Sequence, residues 1–176
     1  GGALAASGVE TVLGTTGSAD VLTLLGANAI AVSAVETVLG ATGGTDVVTM
    51  LGGGSLAVST VDTVRGSTGT DTVTMLGSGT LTVDIVERVI GTTGAGDVLN
   101  VLTAATVSVS GVETVLGSTG RDAAVFMGAT TTLSVSNVET VVGGTGTGDV
   151  AQMLSGGAVS LSAIESVLGT TAAGDV

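Results

Sequence analysis

One short phrase returns seven times along this chain at a nearly constant spacing. Each copy has a β-branched residue, an acid, usually Thr, then Val, one further residue and Gly. The copies occupy residues 9–14, 35–40, 61–66, 86–91, 112–117, 138–143 and 164–169, and their first residues lie 26, 26, 25, 26, 26 and 26 positions apart. A period this regular indicates a repeat protein, in which each unit packs mainly on its neighbours.

Each repeat contains three strand-like pieces, which in the first copy are residues 9–13, 21–25 and 29–33. They are short, rich in Val, Leu, Ile and Thr, and bounded by Gly, Ala, Asn, Ser or Asp. The 31 glycines disfavour helices, since each interior Gly costs about 1 kcal/mol relative to Ala. We therefore expect an all-β fold: a right-handed parallel β-solenoid of about seven coils of about 26 residues, with residues 1–176 forming a single repeat array. Two strands per coil, with the third piece merely extended, also fits this spacing.

Three apolar columns should form the core if equivalent residues stack in register about 4.8 Å apart. They begin at Val9, Val12 and Val32, and the Val12 column is Val in all seven copies. These side chains are small, so the solenoid should be narrow, and seven coils predict a rod about 33 Å long. The three-residue spacing of Val9 and Val12 breaks strict alternation, which predicts a bend or bulge between them.

The composition argues against most enzymes and against nucleic-acid binding. The chain has no Cys, His, Trp, Tyr or Pro, Phe126 is its only aromatic residue, and its net charge is −12. Without Cys or His there is no disulfide framework, no thiolate zinc site and no ordinary Ser-His or Cys-His nucleophile pair. Nucleic-acid binding needs basic residues for phosphates and aromatic residues for bases. No apolar run approaches the ~20 residues of a transmembrane helix. We expect no catalytic residues and no nucleic-acid partner.

Fourteen of the 15 acids fall in two columns, and only Asp84 stands outside them. The first column is Glu10, Glu36, Asp62, Glu87, Glu113, Glu139 and Glu165, and the second is Asp20, Asp46, Asp71, Asp97, Asp122, Asp149 and Asp175. In-register stacking would place like charges near 5 Å apart, where each pair repels by about 1 kcal/mol in water. Solvent, loop amides, raised pKa values or bound cations would have to relieve that repulsion.

The Asp column lies in a glycine-containing loop, as in Gly66-Ser-Thr-Gly69-Thr-Asp71-Thr-Val73 and Gly117-Ser-Thr-Gly120-Arg-Asp122. These loops resemble the RTX, or haemolysin-type, calcium-binding repeat, G-G-x-G-x-D-x-U-x. The whole chain is also similar to degenerate repeats of large secreted bacterial surface proteins. The resemblance implies Ca²⁺ as a cofactor, with Asp20, Asp46, Asp71, Asp97, Asp122, Asp149 and Asp175 as its ligands. Ca²⁺ suits such loops because it accepts six to eight oxygen ligands in flexible geometry. Two departures stand against it: most copies carry one extra residue before Asp, and there is one Asp loop per 26 residues. The alternative is that Asp caps the turn through nearby amides.

Three function classes follow from these observations. The first is a structural or adhesive module of a secreted or cell-surface bacterial protein, such as an S-layer, adhesin or extracellular filament. The second is an ice- or polysaccharide-binding solenoid, suggested by a Thr column that starts at Thr11 and is interrupted by Arg88. The third, a β-helical carbohydrate-active enzyme, lacks a unique site in so uniform a ladder. We expect the first, located outside the cell, with partners that are neighbouring coils of a longer chain, other copies, or cell-surface polysaccharide.

Overall fold

The computed structural model describes residues 1–17, 19–128 and 132–170, and within these residues it holds strands joined by turns and loops, with no helix. Ten odd-numbered strands form one sheet, called here the odd sheet: β1 (Ala3–Ala6), β3 (Val21–Leu24), β5 (Thr37–Leu39), β7 (Gly54–Ser59), β9 (Asp71–Met75), β11 (Arg88–Ile90), β13 (Thr106–Ser110), β15 (Ala123–Phe126), β17 (Thr140–Val142) and β19 (Ser160–Ser162). Ten even-numbered strands form the even sheet: β2 (Thr11–Leu13), β4 (Ala29–Ser33), β6 (Val47–Met50), β8 (Thr63–Arg65), β10 (Thr80–Asp84), β12 (Val98–Val101), β14 (Thr114–Leu116), β16 (Thr132–Ser136), β18 (Val150–Met153) and β20 (Ser166–Leu168).

The chain crosses from one sheet to the other after every strand and pairs each strand in parallel with the strand two places on. Ala3 pairs with Val21, Val21 with Thr37 and Thr37 with Ala57, so these turns take 18, 16 and 20 residues. The fold is therefore an all-β parallel solenoid, as expected, but the predicted coil is wrong. There are about nine turns of about 18 residues with two strands each, instead of seven turns of 26 with three. Nine steps of about 4.8 Å make a rod about 43 Å long.

The sequence repeat and the structural turn differ in length because each repeat holds three strands and each turn holds two. One repeat thus makes one and a half turns, and successive repeats begin in opposite sheets. Val12 lies in β2 of the even sheet, Val38 in β5 of the odd sheet and Val64 in β8 of the even sheet. Residues that are equivalent in adjacent repeats consequently lie in opposite sheets, one and a half turns apart along the rod, and do not stack directly.

The core lies between the two sheets and includes the three predicted apolar columns, together with three further columns that the sequence analysis did not identify and that begin at Leu22, Leu24 and Ile30. Inward residues alternate with outward ones along each strand, as the period of two requires. The interior members of the Val12 column are buried to within 1% exposure, as predicted: Val38, Val64, Val89, Val115 and Val141. The columns that begin at Val9 and Val32 are likewise buried away from the two ends of the rod. Each buried Val or Leu contributes about 1.5–3 kcal/mol relative to an exposed one.

The corner that leads into each phrase has a left-handed backbone and lies just before Val9, ahead of the bend or bulge predicted between Val9 and Val12. In all seven copies the residue just before the phrase has φ between 51° and 63°: Gly8, Ala34, Thr60, Ile85, Gly111, Asn137 and Ala163. This conformation turns the chain from one sheet to the other without a long loop. Five of the seven residues carry a Cβ, and for the β-branched Thr60 and Ile85 the conformation is strained.

Candidate functional site along the two edges

The acids of both columns lie at the loops where strands begin, along the two long edges of the rod. At each edge the tiers follow a repeating order of three: a tier without an acid of either column, a tier with the Asp, and a tier with the Glu. Asp71, at the start of β9, is thus followed one tier on by Glu87, ahead of β11. Two Asp residues on one edge are three tiers, or about 14 Å, apart. The predicted uninterrupted stack of Asp charges near 5 Å apart is therefore wrong, because the repeats alternate between edges.

Asp97 shows what the Asp column does. Its Oδ1 accepts a hydrogen bond from the Gly79 amide of the preceding tier at 3.1 Å. Its Oδ2 accepts two more, from the Thr92 amide at 2.6 Å and the Thr92 hydroxyl at 2.8 Å. The side chain is fully buried. A buried carboxylate is tolerable only when donors replace its lost water, and these three donors do so.

The same arrangement recurs along the rod. The Oδ2 atom accepts the amide of the residue after the phrase's Gly in all six members of the Asp column that the structure describes, at 2.5–2.7 Å; these amides belong to Thr15, Ala41, Ser67, Thr92, Ser118 and Gly144. The Oδ1 atom accepts an amide of the preceding tier, from Gly2, Asn28, Gly54, Gly79 and Ala105. Each Asp thereby fastens its own loop and joins it to the neighbouring turn.

The Glu column continues the same network. In each of the six described Asp–Glu pairs, the Asp amide donates to a carboxylate oxygen of the next tier, at 2.7–2.8 Å. In the second of these pairs the acceptor is Asp62, whose shorter side chain serves equally. The two acid columns thus form one carboxylate–amide ladder, defined here as these Asp and Glu side chains with the amides that they accept.

The hydrogen bonds that Asp20 accepts lower its pKa. The amide of Thr15 and then its hydroxyl lower the pKa of Asp20, more than burial raises it, and the Gly2 amide and the terminal ammonium add to the lowering. Hydrogen bonds to the charged form always act in this direction. The ionised carboxylate is therefore the form that the folded loop stabilises.

The ladder explains why Gly closes the repeated phrase. A Cβ at Gly66 would overlap the carbonyl oxygen of Ile85 in the next tier and would lie 2.8 Å from Asp71 Oδ2. The same overlap with a corner carbonyl recurs at Gly14, Gly40, Gly91, Gly117 and Gly143. Only Gly lets the loop backbone approach the corner of the next turn this closely. Sequence reasoning identified this Gly but not its reason, and it missed the hydroxyl that follows it in four loops, at Thr15, Ser67, Thr92 and Ser118.

The described Asp side chains predicted to bind calcium lie apart from one another, three tiers apart on each edge. Among the residues that the structure describes, no three acidic side chains come together as a metal site would require. Asp175 lies outside the described residues. A carboxylate has about four acceptor positions, and at Asp97 three are taken by protein donors. Calcium binding at the Asp column thus stays a prediction, and a bound ion would share each carboxylate with the amides.

The Thr column that suggested ice or sugar binding is divided between the two faces. Thr11, Thr63, Thr114 and Ser166 lie on even strands, and Thr37, Arg88 and Thr140 lie on odd strands. On one face they are therefore three tiers apart. Between them stand residues such as Ala57 and Thr74, which are in register with Thr37. A continuous flat Thr ladder does not form.

The fold and its edges define a two-sheet parallel β-solenoid held together at its corners by buried carboxylates. No protein-family model, curated protein or solved structure matches this chain at a significant level. Across the described part of the chain, the structure offers no helix long and apolar enough to cross a membrane.

Proposed function

We propose that this chain is a structural or adhesive module of a secreted or cell-surface bacterial protein, such as an S-layer, an adhesin or an extracellular filament. The observation that carries the proposal is the uniform carboxylate–amide ladder, which repeats at every described member of the Asp column. A catalyst needs one site that differs from its surroundings, whereas a spacer needs every turn to resist deformation equally.

The chemistry of the ladder supports a role in which the turns resist mechanical deformation. Each Asp joins two turns through amide bonds, and hydrogen bonds to a charged acceptor contribute about 1.5–3 kcal/mol each. These bonds add to the parallel backbone pairing and to the narrow core. The partners in this role are neighbouring coils of a longer chain or other copies, with cell-surface polysaccharide as an outward ligand.

Antibodies to the purified array test the location. They should label intact cells of the source organism, and a control antibody to a cytoplasmic protein should label only permeabilised cells. Array labelling that appears only after permeabilisation would contradict a surface module.

Single-molecule pulling tests the role. The array should unfold in steps at forces that fall when Asp97 is replaced by Asn. Equal unfolding forces for the two proteins would show that the ladder does not set the mechanical resistance of the array.

The resemblance to RTX repeats adds calcium to this proposal. Millimolar Ca²⁺ should raise the melting temperature more than Mg²⁺ does, because Mg²⁺ requires tighter octahedral geometry and releases water reluctantly. The double variant Asp71→Asn/Asp97→Asn should lose part of the Ca²⁺ effect. A melting curve that chelator leaves unchanged, with no heat of binding in calorimetry, would show that amides alone satisfy the Asp column.

A further inference from the structure

The outward face of the odd sheet is the least charged large surface of a strongly acidic chain. Its outward strand residues are Ala, Val, Leu, Ile, Thr and Ser, and in the described residues they include one charged side chain, Arg88. The acids of the two columns lie at the edges, at the starts of strands. With a net charge of −12, two copies repel one another along their edges, and the odd face is where they can approach without opposed carboxylates.

Apolar side chains recur along one margin of this face. Leu25 and Leu76, which follow β3 and β9, are 65% and 52% exposed. Leu39 and Ile90, on the next odd strands, also point outward. The pattern repeats every three tiers, about 14 Å. A second rod of the same sequence carries this spacing along its whole length.

The even face fits a partner less well. It also exposes leucines, such as Leu51 and Leu102, at 53% and 49%. Its middle, however, carries Arg65 and Asp84, paired across β8 and β10, and Asn100 on β12. Covering these two charged groups and the Asn100 amide removes them from water, which costs free energy unless the partner supplies hydrogen bonds to them.

We propose that the odd face is a self-association surface on which a second copy of this chain packs face to face. Ten strands at about 4.8 Å and about 15 Å of strand length give about 650 Å² for the face. The apolar side chains along the margin of the face, such as Leu25 and Leu76, add to that area. Two such faces bury about 1,300 Å² in total, at the lower end of the range of about 1,200–2,000 Å² for specific interfaces, so the face is large enough for a dimer. This association rests on the proposed structural role, for which it names the surface between copies, and it does not depend on calcium.

The alternation of repeats between sheets supplies a closely matched test. Thr37 and Thr140 lie on the odd face, and Thr63 and Thr114 occupy the same repeat position on the even face. Arg88 already occupies that position in one repeat, so Arg is compatible with the fold there. The double variants Thr37→Arg/Thr140→Arg and Thr63→Arg/Thr114→Arg therefore add equal charge to opposite faces of the rod.

Sedimentation equilibrium should show a dimer for the unaltered chain. The odd-face variant adds four unpaired Arg side chains to the dimer interface, two from each copy, and should therefore weaken the dimer at least about 100-fold. The even-face variant should match the unaltered chain. Arg88→Thr should tighten the dimer. A monomer at every concentration, equal association of both double variants, or dissociation caused by the even-face variant alone would overturn the proposal. Circular dichroism of all four proteins confirms that each one is folded.

Discussion

Replacing Asp97 by Asn tests whether buried carboxylates hold the turns together. The substitution keeps the size of the side chain but exchanges one acceptor oxygen for an NH₂ donor. Asp97 Oδ2 accepts two bonds from Thr92, and Oδ1 accepts one from Gly79. If the Asn oxygen faces Thr92, its NH₂ must face the Gly79 amide, so that two donors oppose one another in the interior.

The expected loss follows from these three bonds. A buried donor left without an acceptor costs about 1–3 kcal/mol, and two bonds that become neutral each lose about 1 kcal/mol, since charge-assisted bonds are about twice as strong. Removing a buried charge returns part of this. We expect the free energy of unfolding to fall by about 2–4 kcal/mol. Because solenoids unfold partly turn by turn, the Gly79 and Thr92 amides should also exchange hydrogen faster.

Asp84→Asn is the matched control, since it changes the net charge equally. Asp84 is half-buried on the outer face and accepts a bond from the Thr103 hydroxyl at 2.6 Å, which Asn can still accept. Urea unfolding followed by circular dichroism gives both stabilities. If Asp97→Asn matches Asp84→Asn to within about 0.5 kcal/mol, the range of ordinary surface changes, and amide exchange is unaltered, the ladder contributes little to stability.

Three further changes test the corners and the loops. Gly66→Ala should lower the melting temperature severely or prevent folding, because its Cβ would overlap a backbone carbonyl, whereas Gly52→Ala, which meets no atom within 4 Å, should fold normally. Ile85→Asn should raise stability by about 1 kcal/mol in urea unfolding, because Asn tolerates the left-handed corner better than a β-branched residue; an unchanged midpoint would argue against strain there. Thr15→Ala should raise the pKa of Asp20 towards 3.8 in a carboxyl NMR titration. Because folding lowers this pKa, Asp20 contributes stability at pH values above its pKa in the unfolded chain, and this contribution is lost as the pH falls through its pKa in the folded chain. The variant has the higher folded pKa, so it should lose this stability at a higher pH than the unaltered chain does.

The sequence by itself determined the class of fold and part of the core. The spacing of 25 or 26 residues indicated a repeat protein, the glycine content disfavoured helices, and the Val12, Val9 and Val32 columns identified three of the buried columns but not those that begin at Leu22, Leu24 and Ile30. These features are local, because alternation along a strand decides which side chains point inward whichever strand pairs with it. The two acid columns were visible for the same reason.

Only the tertiary structure decided how many strands make a turn. Three strands per repeat can close as one three-sided turn or as one and a half two-sided turns, and both place the same residues inward. Side chains as small as Val and Leu fill the space between two facing sheets, whereas a three-sided turn would leave a void at its centre, which close-packed interiors do not tolerate. The two-sided turn sends successive repeats to opposite edges. It therefore places Asp71 beside Glu87 and three tiers from the nearest Asp on its edge.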